Sequence, residues 1–114
     1  MNKRLCTLDD LADPGSLAVN MEDSGLPWDL CVVRREGRVS AFINHCPHAG
    51  SPLDWVPGEF LSPDKQHIQC STHHALFEID TGLCVSGPCV GQALRAVAVE
   101  IIDNAVFPKA KTPA

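Results

Sequence analysis

Apolar residues fall along the chain in short, β-branched runs separated by Gly, Pro, Asn and Asp. This rhythm predicts strands and tight turns rather than long helices. Leu17–Val19, Leu30–Val33 and Val39–Ile43 read as strands, the last two joined across Arg35-Glu36-Gly37-Arg38, where Gly37 takes the positive φ of a hairpin turn. Phe60-Leu61 and Gln66–Gln69 flank the turn formers Ser62-Pro63-Asp64-Lys65, and Ala75–Ile79 and Leu83–Val85 flank Asp80-Thr81-Gly82, giving two further hairpins. Period 2 puts Ala75, Phe77 and Ile79 toward a core, Glu78 and Asp80 outward, and Leu76 on the outer face. Leu94–Ile102 is the longest such run and reads as a central strand, followed by Asp103-Asn104 and a last strand, Ala105–Phe107. Near the start, Thr7 with Asp10 resembles a capping box and predicts one helical turn around Leu8–Leu11, ended by Pro14-Gly15. The tail Lys109–Ala114 is expected to fray.

Length and composition narrow the fold class to all-β. With 114 residues, the chain is expected to form one domain over 1–114, and 9 Pro and 8 Gly imply many turns. The formal charge of −5 argues against nucleic acid, whose phosphates need clustered Lys and Arg. That charge serves either solubility or the steering of a basic partner. No apolar run approaches the roughly 20 residues of a membrane helix, and Asp9-Asp10 arrives before a signal-peptide core forms, so a cytoplasmic location is expected. In that compartment 6 Cys point to metal ligation before a disulfide framework.

The stretch from about 44 to 89 is dense in Cys, His, Pro and Gly and stands out as the functional region. It holds Cys46-Pro47-His48 and Cys70-Ser71-Thr72-His73, separated by the 21 residues from Ala49 to Gln69. Each motif pairs a thiolate with an imidazole and follows a predicted strand, so two hairpin tips can aim four ligands at one point. Zinc and a [2Fe–2S] cluster both accept two Cys and two His. Classical zinc fingers segregate the two Cys from the two His, which sit on a helix; here each motif is mixed and neither has helical patterning. A dinuclear cluster accounts for the mixture, with each loop giving its Cys to one iron and its His to the other.

Cys46-Pro-His-Ala-Gly50-Ser-Pro-Leu-Asp54 and Cys70-Ser-Thr-His73-His-Ala-Leu-Phe77-Glu-Ile-Asp-Thr-Gly82 resemble the two cluster-binding boxes of the Rieske family. Ser86-Gly87-Pro88 is similar to that family's proline loop, and the likeness runs from about Leu30 to Phe107. It implies antiparallel sheets in a sandwich-like barrel with the cluster at one tip, held by Cys46, His48, Cys70 and His73. His45, His67 and His74 are then bystanders, and Cys6 and Cys31 are small core residues. Cys84 and Cys89 flank the proline loop; a disulfide between them is conceivable, but a reducing compartment favours two thiols. The chain departs from the family in its slightly long spacer, which a Phe60–Gln69 hairpin would absorb, and in His74 where many members carry Gly. Ser51 and Thr72 replace the two Cys that bridge the cluster loops of the respiratory members, so that bridge cannot form.

The resemblance also implies a function. Replacing two thiolates by neutral imidazoles makes an added electron easier to hold, and the remaining imidazole N–H groups couple reduction to protonation at alkaline pH. High-potential members place Ser and Tyr hydroxyls where Ala75 and Phe77 stand here, so the potential is expected near the low end of the Rieske range, about −150 mV. That suits a Rieske-type ferredoxin accepting electrons from a flavin-dependent reductase and passing them to a terminal oxygenase. The alternatives are a small subunit beside the large subunit of an assimilatory nitrite reductase, and a zinc-stabilised interaction module. A catalytic role is not expected, because an oxygenase needs a further iron site of two His and a carboxylate.

Overall fold

A computed structural model describes residues 4–20, 22, 28–46, 52–54, 58–70 and 74–109. Among the described residues, ten strands form three antiparallel sheets. The first joins β1 (Cys6–Thr7), β10 (Ala105–Pro108) and β9 (Val99–Ile102) in the order β1-β10-β9. The second, in the order β2-β3-β4-β8, joins β2 (Gly15–Val19), β3 (Leu30–Arg35), β4 (Arg38–Ile43) and β8 (Ala96–Val97). The third joins β5 (His67–Gln69), β6 (Leu76–Glu78) and β7 (Cys84–Ser86) in chain order. The all-β, antiparallel expectation is borne out.

The four-stranded sheet is the middle of the molecule because it is apolar on both faces. Leu30 and Val32 of β3 join Leu5, Val97 and Val106 in one buried cluster, whereas the intervening Cys31 and Val33 join Phe42, Ile68 and Phe77 in another. A strand covered on both sides needs a continuous apolar run, which is what Leu30-Cys-Val-Val33 provides. The second cluster includes Phe42, Phe60 and Phe77, each at most 1% exposed, and each such burial contributes roughly 1.5–3 kcal/mol. It underlies the β5-β6-β7 sheet and therefore the loops that leave it.

Local readings hold in detail. Glu36 and Gly37 both take positive φ, 53° and 78°, making a two-residue hairpin turn between β3 and β4. Ala75, Phe77 and Ile79 are buried, Glu78 and Asp80 exposed, and Leu76 half-buried, as period 2 requires. A single 3-10 turn at Leu8–Asp10 follows Thr7, whose N–H donates to Asp10 Oδ2 at 2.9 Å. The turn closes at Leu11, whose N–H donates to Leu8 O at 3.1 Å, and β2 already begins at Gly15. Within the spacer, Leu61 bridges Ile68 and Gln69 N–H donates to Phe60 O at 2.8 Å, so the expected hairpin forms. Of the tail expected to fray, residues 110–114 lie outside the described residues.

One expectation is corrected. Leu94–Ile102 is not a central strand but two short edge strands in different sheets, β8 against β4 and β9 against β10. Leu94 and Val97 are buried while Arg95, Ala96 and Ala98 are exposed. A spacing of three cannot stay on one face of a pleated strand, so the run slips phase and changes sheets at Ala98. Past the break the pattern no longer signals a core: Ile101 and Ile102 are exposed.

Candidate metal centre

The two cysteines of the mixed motifs come to the same place. Cys70 follows β5 directly, and its N–H donates to Ala75 O at 2.9 Å, just before β6 begins. Cys46 lies shortly after β4, where His45 N–H donates to Ile43 O at 2.8 Å and turns the chain out of the sheet. Cys46 is 1% exposed and Cys70 fully buried, and both belong to the apolar cluster containing Leu53, Phe60 and Phe77. Neither is in a disulfide. The other two predicted ligands, His48 and His73, lie outside the described residues, as do Pro47, Ser51 and Thr72. Among the described residues no group of three or more His, Cys, Asp or Glu side chains is arranged to hold a metal ion.

The bystander histidines are not buried with the thiols. His45 and His74 are exposed, and His67 is half-buried in β5. His74 has φ 56°, a left-handed backbone that favours glycine, the residue the resemblance places there in many members. Gln69 Nε2 donates to His74 Nδ1 at 2.8 Å and holds the ring back along the hairpin.

A polar brace, not anticipated from the sequence, fixes the first box. Asn44, at the end of β4, accepts from Leu53 N–H at 2.7 Å and donates from Nδ2 to Asp54 Oδ1 at 3.0 Å. The second oxygen of Asp54 accepts from Gly58 N–H at 3.0 Å. The two legs of the loop that carries Cys46 and His48 are thus tied together and to the sheet. The available signal was the pairing of an Asn just past a strand with an Asp just past an apolar Leu. Asp54→Ala leaves Asn44 Nδ2 and Gly58 N–H without this acceptor and is expected to cost about 2 kcal/mol. A lower urea midpoint with faster iron release to a chelator checks this; unchanged values for both would show that the brace is idle.

The proline loop docks on the second box through bare backbone. Opposite Leu76 and Phe77, β7 carries a bulge that pairs Ser86 and Cys84 with them and leaves Val85 extra, re-aiming the chain into Gly87-Pro88. Gly87 has φ 99°, and a Cβ there would stand 2.8 Å from Ala75 Cα, closer than atoms can approach. Only glycine fits, which places the loop flat against the residue five positions after Cys70.

The remaining cysteines divide into two kinds. Cys31 is fully buried, its thiol pushed well up by burial, and Cys6 is raised to about 11, first by burial and then by the Asp10 carboxylate; both are core residues, as expected. Cys84 and Cys89 form a contacting pair of unbridged thiols, Sγ to Sγ 3.1 Å, in the apolar cluster that holds Cys46 and Cys70. Burial, the contact with Cys84, and the nearby sulfurs of Cys46 and Cys70 together push the Cys89 thiol up to about 12.

The donor set fits a [2Fe–2S] cluster. Two unbridged sulfur donors from separate segments are kept dry by aromatic and aliphatic side chains, which would shield iron–thiolate bonds from water if a cluster were held there. Ala75 and Phe77 are fully buried beside them and bring no hydroxyl.

A family model described as the Rieske [2Fe-2S] domain matches residues 3–106. Among solved structures, the chain is similar to the ferredoxin of carbazole 1,9a-dioxygenase from Nocardioides aromaticivorans IC177, with 28% identity, TM-score 0.76, and coverage of 95% of this chain and 96% of that one. It is also similar to the Sphingomonas yanoikuyae B1 ferredoxin, with 26% identity, TM-score 0.75, and coverage of 96% and 99%. The fold recurs in a chain from the complex of reduced oxygenase and oxidized ferredoxin in carbazole 1,9a-dioxygenase, at 23% identity, TM-score 0.73, and coverage of 96% and 94%. No curated protein matches.

Proposed function

The chain belongs to the Rieske [2Fe-2S] domain family, and from that premise we propose that it is a single-domain ferredoxin, a one-electron carrier between a flavin-dependent reductase and a terminal oxygenase. The observation that carries this reading is the burial of Cys46 and Cys70 together in one apolar cluster. Their thiolates would hold one iron, and the imidazoles of His48 and His73 the other. When bound, the cluster supplies a couple that takes and releases one electron.

The protein's own residues set how that couple behaves. Leu53, Phe60 and Phe77 exclude water from the cysteine side, so charge there is poorly screened. Ala75 and Phe77 donate no side-chain hydrogen bond to sulfur, which supports a potential near −150 mV, about the low end of the Rieske range. Asn44 and Asp54 hold the first loop and Gly87 seats the third, so the site needs little reorganisation on reduction. Likeness to ferredoxins of dioxygenase systems favours an oxygenase as acceptor. No helix of the described residues is long and apolar enough to cross a membrane, which is compatible with exchange between partners in the cytoplasm.

Iron and acid-labile sulfide in anaerobically purified protein, with an EPR spectrum after dithionite reduction, test the centre. Two irons and two sulfides per chain with a Rieske-type signal are expected. Colourless protein containing zinc and no sulfide would overturn the reading.

A further inference from the structure

We propose that Cys84 and Cys89 are a second redox site, a dithiol that closes reversibly to a disulfide and locks the proline loop over the cluster. The geometry is already close: the two sulfurs stand 3.1 Å apart, and an S–S bond of about 2.05 Å needs an approach of only about 1 Å. The backbone holds them in register. Cys84 N–H donates to Gln92 O and Gln92 N–H donates to Cys89 O, both at 2.9 Å, so one residue fixes both ends of the pair.

The loop between them also has a way to open. Its turn is closed by a long hydrogen bond, Val90 N–H to Gly87 O at 3.4 Å, and Val90 is 62% exposed. Gly91 has φ 96°, and a Cβ there would meet nothing within 4 Å. Outward movement of this turn carries Cys89 to solvent while Cys84 stays in β7, giving an oxidant access that neither sulfur allows in the closed form. Cys31, in the middle of a sheet covered on both faces, has no comparable route.

The oxidant is a low-molecular-weight or protein disulfide. The Cys89 sulfur attacks one sulfur of it and releases a thiol; the Cys84 sulfur then attacks the mixed disulfide and releases the second thiol. Two electrons and two protons pass from Cys84 and Cys89 to the oxidant, and a dithiol reverses the step. With the bond made, the chain is closed from β7 to the far side of the turn. Gly87 then cannot lift from Ala75, and the cluster held by Cys46 and Cys70, in the reading proposed above, loses its iron more slowly.

The test incubates the iron-loaded protein anaerobically with oxidised or reduced glutathione. Portions are then denatured with an alkylating agent, thiols are counted by mass and the linked peptide is mapped; other portions are given to an iron chelator. Six alkylated cysteines are expected in the reduced sample and four in the oxidised one, with Cys84 joined to Cys89 and iron released several-fold more slowly. In Cys89→Ser, the five remaining thiols should persist under both conditions, with a single release rate. Six thiols after oxidation, a bridge through Cys46 or Cys70, or unchanged iron release would each overturn the proposal. Iron and sulfide measured on the starting protein separate that failure from a failure of the cluster assignment.

Discussion

Cys70→Ala is expected to yield a folded protein that has lost nearly all its iron and sulfide, whereas Cys31→Ala keeps both. The two cysteines are matched physically: each is fully buried, and each lies in the same apolar cluster beneath the β5-β6-β7 sheet. Truncation removes the same sulfur from each and leaves a cavity of similar size, so the cost in stability should be similar, about 1–2 kcal/mol. That is a modest fraction of the 5–15 kcal/mol or so that ordinarily separates folded from unfolded domains. What differs is position. Cys70 stands three positions before His73 in the second box, while Cys31 sits inside β3. Circular dichroism would confirm that both variants fold, and metal and sulfide analysis would separate them. Two irons retained in Cys70→Ala would remove it from the ligand set.

That comparison also shows what the amino-acid pattern could and could not convey. Hairpins were readable because their turns demand particular residues: Glu36-Gly37 and Asp103-Asn104 both adopt positive φ between strands of clear alternation. The candidate ligand cysteines stand out in the sequence because a thiolate and an imidazole in each of two short motifs is a rare combination with few chemical uses. Sheet membership was not. Leu94–Ile102 has β-forming residues throughout, but the change of sheet at Ala98 follows from which neighbours the strand meets, and these lie up to half a chain away. The layering was equally hidden: Cys31 and Leu30 look alike in a run of apolar residues, although they face different cores. The Asn44–Asp54 brace belongs to the same class, since it depends on a loop folding back in a way that local periodicity does not encode, whereas the pairing of Cys84 with Cys89 across the short proline loop was open to a sequence reading.

The remaining large effect concerns charge. His48→Cys is expected to lower the midpoint potential by at least about 100 mV, toward the roughly −400 mV of clusters held by four thiolates. An oxidised [2Fe–2S] core carries about +2, which two thiolates bring near neutrality; a third thiolate leaves the oxidised centre near −1, and the incoming electron must then be added against that charge. The surroundings amplify the penalty. Leu53, Phe60 and Phe77 around Cys46 and Cys70 are fully buried, so on the cysteine side neither solvent nor salt screens the incoming electron well. Ala75 and Phe77 supply no side-chain hydroxyl to compensate. The substitution also removes one of the two imidazoles whose proton is taken up on reduction, so the alkaline fall of potential with pH should weaken. EPR-monitored redox titration at several pH values measures both effects. A midpoint that stays level or rises would mean that ligand charge does not govern this couple, and a full alkaline slope would mean that the proton is held elsewhere.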